Sequence, residues 1–313
     1  MDFLVSGIDF KPLLILWLAI AVDASWRWPQ QTHPLTLMRY LVNQMGRKVL
    51  PSQKFAASQH YISGALAAVV LLSPLVVCLG ILVSMAQYPV FFEAIIMVVL
   101  LDYGYQRQQY KRVLFTVGKN KKSLAREMVS SITARQCDTL TDMGMAKASI
   151  ESLWLKFLYL FCGVIFYYVA FGAMGALIYR LLLLTSWQWH YRDPKMALFA
   201  LPVRRIVSIL VVPPAIVGAL ATLISSKPIM GVKAMKRCPS KDKTSLLLAA
   251  LGGIHNIKLG GPAIYANQKI RYPRVGGNRD VTFSSMVYVK RTVINAMIVV
   301  TALATLVIMI INA

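Results

Sequence analysis

The sequence predicts an all-α, polytopic integral membrane protein. Of its 313 residues, 57% are apolar and only 15% are charged, about ten percentage points below the charged fraction of soluble globular proteins. The apolar residues form runs close to the roughly 20 residues that a helix needs to cross a hydrocarbon layer of about 30 Å. Lysine and arginine concentrate between these runs, as they do in cytoplasmic loops.

About six apolar segments are expected to cross or re-enter the membrane. In chain order they are residues 3–22, 61–86, 90–101, 157–184, 206–225 and 293–311. The first segment is interrupted by Asp9 and Lys11, so a tilted or partly interfacial helix is expected there. The third has about a dozen residues and carries Glu93; segments this short are often re-entrant or packed against protein. Without tandem repeats or a separate soluble region, residues 1–313 are interpreted as a single membrane domain.

The distribution of basic residues predicts the orientation in the membrane. Loops 24–59, 104–150 and 226–291 carry 5, 9 and 13 Lys and Arg residues, which is 27 of the 34 in the chain. By the positive-inside rule these loops lie in the cytoplasm, and both termini lie on the outer side of the cytoplasmic (inner) membrane. This placement accounts for the net charge of +22 without a nucleic-acid partner. The lipid bilayer is the expected partner, and a homo-oligomer is left open.

The loop at residues 257–280 combines glycine pairs with basic side chains. The pair Gly260-Gly261 lets the backbone approach a ligand closely, and its N–H groups are expected to point at an anion. Lys258 and Arg274 would supply positive charge around that anion. A turn-rich basic loop held near lipid headgroups explains the same pattern, and both interpretations remain open. No Walker-type glycine spacing is present.

The first cytoplasmic loop holds a second candidate site. Asp23 is followed by Trp26 and Trp28 and then by the pair His33-Pro34. A histidine-proline pair beside aromatic rings can orient a ligand. Interfacial tryptophans together with a helix-capping histidine are the alternative.

These stretches resemble the CobD/CbiB family of cobalamin-biosynthesis membrane proteins, the adenosylcobinamide-phosphate synthases. The run from Asp23 through Pro29-Gln30 to His33-Pro34 is similar to the family's N-terminal signature. Residues 259–273, with Gly260-Gly261-Pro262, Tyr265 and Pro273, resemble its C-terminal signature. Between them, Arg135 and Glu151 stand where the family has an Arg-Asp-Thr and a Val-Glu-Thr element. The likeness covers nearly the whole chain, and a more distant one links it to AmpE-like inner-membrane proteins.

The resemblance implies a specific reaction and a set of site residues. The family condenses adenosylcobyric acid with an aminoalcohol phosphate to adenosylcobinamide phosphate, as an amide-forming ligase that uses ATP and magnesium. The corrinoid and the aminoalcohol phosphate are thus the implied substrates. The implied catalytic residues are Glu151, Asp23 and His33, the implied magnesium ligands are Glu151 and Asp23, and the implied substrate- or phosphate-binding residues are Arg135, Gly260, Gly261, Pro262, Tyr265 and Arg274.

The sequence departs from the family pattern at several carboxylates. Arg135 is followed by Gln136-Cys137, and the Asn-Thr-Leu-Asp motif is replaced by residues 183–186, which contain no acid. Of the chain's twelve Asp and Glu residues, only Asp23 and Glu151 fall on matching motif positions. The alternative hypothesis is therefore a catalytically inactive family member that binds a corrinoid or nucleotide or has an AmpE-like regulatory role.

A transporter or channel is a third hypothesis. Glu93, Lys156 and Arg180 are ionisable residues within or at the ends of apolar segments, and such residues are functional candidates by default. Snorkelling of Lys156 and Arg180 to the membrane surface is the alternative explanation.

Overall fold

The computed structural model describes residues 10–26, 28–119, 121–191, 193–265 and 268–312. These residues are mostly helical, and the predicted all-α membrane class is confirmed. The helices are α1 (Lys11–Ser25), α2 (Pro34–Val49), α3 (Ala57–Met85), α4 (Pro89–Leu100), α5 (Tyr103–Gly118), α6 (Lys122–Ile132), α7 (Asp142–Lys156), α8 (Gly163–Gln188), α9 (Ala197–Leu210), α10 (Val212–Ile224), α11 (Pro228–Lys236), α12 (Lys243–His255) and α13 (Phe283–Ile311). The strands are β1 (Lys258–Gly260), β2 (Ala263–Tyr265), β3 (Gln268–Ile270) and β4 (Arg274–Gly276).

Four helical stretches of the described chain are long and apolar enough to cross a membrane. They are Ala57–Met85, Pro89–Gly118, Asp142–Gln188 and Phe283–Ile311; a fifth forms if α9 and α10, which meet at a bend of 42°, are one broken span. The short third apolar segment is thus the first part of a 30-residue candidate span. Within the first segment, residues 3–9 lie outside the described residues, and the remainder belongs to the 15-residue helix α1.

The exposed surface of α3 is apolar, as lipid contact requires. Leu66, Val69, Val70 and Val77 are each between 55% and 60% exposed. Exposed apolar side chains that recur from Ile62 to Met85 of this helix are unfavourable in water but stable in hydrocarbon. The surface of this helix therefore supports the membrane assignment independently of its hydropathy.

Residue contacts divide the chain into two compact units. Unit 1 comprises the described residues of 1–104, 163–214 and 304–313, and unit 2 those of 105–162 and 215–303. The prediction of a single membrane domain is not tested by this division and stays a prediction.

In unit 1, α3 lies against α9 and α1 against α4. Helices α3 and α9 approach closely at Gly64, where an added Cβ would lie 1.9 Å from the carbonyl oxygen of Phe199. The indole N–H of Trp189, just after α8, donates to the carbonyl of Val42 in α2 at 3.0 Å. In this unit, the small residue Gly64 thus allows two helix backbones to meet, and the indole of Trp189 satisfies a backbone carbonyl.

Unit 2 contains the loop with the paired glycines. Strand β1 pairs antiparallel with β4, with Gly260 opposite Arg274, and β2 pairs antiparallel with β3. Helix α12 packs against β1 and β4, and α7 contacts β1. Helix α7 continues through a π-helical turn, Phe157–Cys162. These contacts place the middle of α7 beside the glycine pair.

Candidate functional site

A hydrogen-bonded network in unit 2 joins four of the residues singled out from the sequence. Arg135, in the loop after α6, donates from Nε to the hydroxyl of Tyr265 at 3.0 Å. Its Nη2 forms an ion pair with Oε2 of Glu151 in α7. The backbone N–H of Gly260 donates to Oε1 of the same carboxylate at 2.6 Å. Each oxygen of Glu151 therefore has a donor, and three separate chain segments meet at one side chain.

The Arg135–Glu151 pair is shielded from water. The side chain of Glu151 is 2% exposed and that of Arg135 is 19% exposed. Burial by itself lowers the pKa of Arg135, but the negative charge of Glu151 and the hydrogen bonds to Glu151 and Tyr265 outweigh it and raise the pKa above its usual value. The guanidinium therefore stays charged, and the pair holds both side chains in a fixed arrangement.

The N–H groups of the paired glycines are used inside the protein. Gly260 donates to Glu151, and Gly261 donates to the carbonyl of Pro273 at 3.2 Å. Pro262 has no N–H to offer. Both N–H groups are therefore bonded within the protein, that of Gly260 to the carboxylate of Glu151, and binding of a ligand anion by these N–H groups stays a prediction. The phosphate-binding roles of Gly260, Gly261 and Pro262 stay predictions. A phosphate at these residues would need positive charge from side chains in addition to the backbone N–H groups.

The two glycines are needed for their backbone conformation and for close approach. Gly260 and Gly261 have φ of 72° and 94°, in the left-handed region that favours glycine. A Cβ on Gly260 would lie 2.3 Å from the carbonyl oxygen of Pro273. The backbone segments can therefore pair only because residue 260 has no side chain.

Lys147 is a site residue that the sequence reasoning missed. Its ammonium interacts electrostatically with Glu151, Arg135 and Arg274. It lies four positions before Glu151 on α7, a spacing that places two side chains on the same helix face. This spacing, once Glu151 was singled out, is the signal in the sequence that would have found Lys147.

The side chains of the described residues do not form a magnesium site built from protein ligands alone. Among the described residues, no group of three or more His, Cys, Asp or Glu side chains could hold a metal ion. Both oxygens of Glu151 already accept hydrogen bonds from Arg135 and Gly260. Magnesium is bound by carboxylates together with waters and substrate phosphates. The metal roles of Glu151 and Asp23 stay predictions.

The other two predicted residues, Asp23 and His33, lie in unit 1. Asp23 is 7% exposed, and its Oδ1 accepts the backbone N–H of Gly104 at 2.6 Å. His33 is the N-cap of α2, and its Nδ1 accepts the N–H of Leu35 at 3.2 Å. The capping alternative for His33 is therefore confirmed. Their catalytic roles stay predictions.

Three charged side chains form a second cluster in unit 1. Oδ2 of Asp102 lies 3.5 Å from Nη2 of Arg39 and 3.8 Å from Nη2 of Arg180. Burial, together with the charges of Arg39 and Arg180, lowers the pKa of the neighbouring His33 although Asp102 opposes the shift. Arg180 is only 1% exposed, so the snorkelling explanation for it is wrong: it is held inside by Asp102.

A family model described as "CobD/Cbib protein" matches residues 16–309. The chain belongs to the CobD/CbiB family. The resemblance read from the signatures is thereby confirmed, and the matched region includes both clusters.

Curated proteins of the same family are similar to this CobD/CbiB chain over most of their length. "Cobalamin biosynthesis protein CobD" of Chromobacterium violaceum is 25% identical over 268 residues, covering 84% of this chain and 86% of that protein. The protein of that name in Rhizobium meliloti is 25% identical over 288 residues, covering 83% and 85%. The one in Stutzerimonas stutzeri is 23% identical over 261 residues, covering 82% and 85%. No solved structure gives a significant match.

Proposed function

We propose that this CobD/CbiB-family protein works in cobalamin biosynthesis and condenses adenosylcobyric acid with an aminoalcohol phosphate to adenosylcobinamide phosphate. The observation that carries the proposal is the family match over residues 16–309, together with relatives named cobalamin biosynthesis proteins that align over more than four fifths of their length. Such extended similarity fits a shared reaction better than a shared membrane scaffold alone.

The chemistry requires activation of a carboxylate. A carboxyl oxygen of the corrinoid attacks the terminal phosphorus of ATP, which gives an acyl phosphate and releases ADP. The amine of the aminoalcohol phosphate then attacks the acyl carbon. The C–N bond forms, the amine nitrogen loses a proton, the C–O bond to the phosphate breaks, and inorganic phosphate leaves. Negative charge develops on phosphoryl oxygens in the first step, and fixed cations stabilise it. Arg135, held by Glu151 and Tyr265, is a cation of this kind.

In this proposal Glu151 is a positioning residue. Its carboxylate orients Arg135 and fixes the backbone at Gly260, so its effect on the reaction passes through those two groups. Replacement by glutamine keeps an acceptor for Gly260 but removes the charge that holds Arg135. The expected result is a lower kcat and a higher KM for the substrate, because the misplaced cation weakens both substrate binding and stabilisation of the transition state.

The test is complementation of a bacterium that lacks its own synthase and grows on adenosylcobyric acid under conditions that require cobalamin. The wild-type chain should restore growth, and Glu151→Gln should reduce it. Glu127→Gln is the matched control, because Glu127 is an exposed carboxylate of α6 outside the network. Absence of growth with wild-type protein present in the membrane contradicts the ligase, and equal growth of both variants contradicts the role of Glu151.

A catalytically inactive family member is the second candidate. It is favoured by the observation that the described residues hold no group of three or more His, Cys, Asp or Glu side chains that could bind a metal. Under this hypothesis the purified protein binds a corrinoid, measured by its visible absorbance, but forms no amide when ATP, magnesium and both substrates are present. Product formation that requires ATP rejects it.

A further inference from the structure

The side chains of Lys147 and Arg274 lie next to Gly261. A Cβ built on this glycine would lie 3.4 Å from Nζ of Lys147, 3.5 Å from Cγ of Arg274 and 3.8 Å from Nε of Arg274. Apart from residue 261 and its two chain neighbours, no heavy atom lies nearer to that position. The space that a side chain at residue 261 would fill is therefore bordered first by a lysine and an arginine.

The positive charge at this point exceeds the nearby negative charge. Glu151 interacts with Lys147, but both its oxygens already hold Arg135 and Gly260. Asp280 also interacts with Lys147, yet it is 3.8 Å from Lys258 in an exposed pair. Lys147 and Arg274 are like charges that interact beside the same glycine, and an anion bound between them would offset their repulsion.

We propose that Lys147 and Arg274 bind a phosphoryl group above Gly261. The guanidinium fork of arginine and the ammonium of lysine are the side chains that recognise phosphate oxygens. The absent side chain of Gly261 leaves the position for an oxygen, and Glu151 keeps the glycine loop in place through Gly260. Within the proposed function, on which this assignment of ligand rests, the group belongs to the aminoalcohol phosphate or to ATP.

The test uses the full-length protein purified in a neutral detergent, with O-phosphoethanolamine and ATP as separate probes in titration calorimetry. Lys147→Met and Arg274→Met should each weaken binding about tenfold or more, since each removes one charge-assisted hydrogen bond. Gly261→Ala should weaken it too, because the methyl group takes the position of the ligand oxygen. The probe whose affinity depends on these residues identifies the source of the phosphate.

Controls separate binding from folding. Lys269→Met removes an exposed lysine of β3 and should leave both affinities unchanged within about twofold. Lys147→Arg keeps the charge and should retain most of the binding. Equal affinity of the wild type, Lys147→Met and Arg274→Met for both probes overturns the proposal, as does failure of the wild type to bind either probe.

Failure of the phosphoryl site and failure of the ligase give different results. Binding that depends on Lys147 and Arg274, without any amide product, keeps the site and rejects the ligase. Amide formation with unchanged KM for both phosphate-bearing substrates in Lys147→Met and Arg274→Met keeps the ligase and rejects the site.

Discussion

The carboxylate of Glu151 accepts the backbone N–H of Gly260 at 2.6 Å, although 109 positions separate the two residues. Its second oxygen holds Arg135, which in turn donates to Tyr265. Signature residues that are scattered along the chain therefore meet at one buried side chain.

The Arg135–Glu151 pair should be energetically coupled. Glu151→Leu removes the acceptor of a partly buried guanidinium and of Gly260, and should lower the free energy of unfolding by about 3–5 kcal/mol. The double variant Glu151→Leu/Arg135→Met should be more stable than Glu151→Leu alone, because no unpaired charge remains. Thermal unfolding in detergent gives the comparison. Additive effects of the two single substitutions would contradict the coupling.

The two adjacent glycines should differ in their tolerance of alanine. Gly260→Ala combines a positive φ with a Cβ only 2.3 Å from the carbonyl oxygen of Pro273, and should cost about 3 kcal/mol. Gly261→Ala carries the conformational strain but places its Cβ no closer than 3.4 Å to another atom, and should cost about 1 kcal/mol. Unfolding midpoints in one detergent check the order. Equal midpoints would show that Pro273 moves away freely.

Asp102 should be essential for the stability of unit 1. Asp102→Asn leaves Arg39 and the buried Arg180 without their shared carboxylate, and should lower the free energy of unfolding by about 3 kcal/mol. Lys122→Met is the control, since it breaks the exposed pair with Asp142 and should cost less than about 1 kcal/mol. A similar midpoint for the two variants would mean that the Asp102 cluster contributes no more than a surface ion pair.

His255 should make the protein less stable in acid. Burial, reinforced by the charge of Lys227, lowers the pKa of His255 to about 4 in the folded protein, against about 6.5 in the unfolded chain. Between these values the unfolded state binds the proton more readily, so stability that is present above pH 6.5 is lost as the pH falls towards 4.

The variant His255→Gln separates the contribution of His255 to the loss of stability in acid from that of His33, whose pKa is also lowered by burial. Denaturant unfolding at pH 7.5 and at pH 4.5 should show a smaller loss of stability for His255→Gln than for the wild type. An identical loss in both proteins would show that His255 takes up its proton in the folded state as easily as in the unfolded one.

The basic loops should be accessible from the cytoplasm. In a background without the four native cysteines, Lys241→Cys should react with an impermeant maleimide only in inverted membrane vesicles, because loop 226–291 is expected inside. Lys195→Cys, between α8 and α9, should react only in spheroplasts. Both substitutions remove one exposed lysine, so the charge change is matched. The reverse labelling pattern would invert the predicted orientation.

Local properties of the sequence were sufficient for the fold class, although about six segments were expected and the described chain has four or five candidate spans. The all-α membrane class follows from hydropathy runs, because a helix in lipid satisfies its backbone within one segment and needs no distant partner. The third run was underestimated for a local reason. The apolar run ends near Leu101, yet the helical stretch continues to Gly118. The added residues are mostly polar, so a run defined by apolar residues stops before them.

By itself the sequence determined the membrane class, the family and the identity of Arg135, Glu151, Gly260 and Tyr265 as a candidate set, because signatures and hydropathy are read along the chain. Only the tertiary structure decided what these residues do to one another. The N–H of Gly260 donates to Glu151, and Nζ of Lys147 lies 3.4 Å from the position that a Cβ on Gly261 would take. The physical reason is that the direction of a backbone N–H is fixed by the chain, so the tertiary fold decides which acceptor it meets.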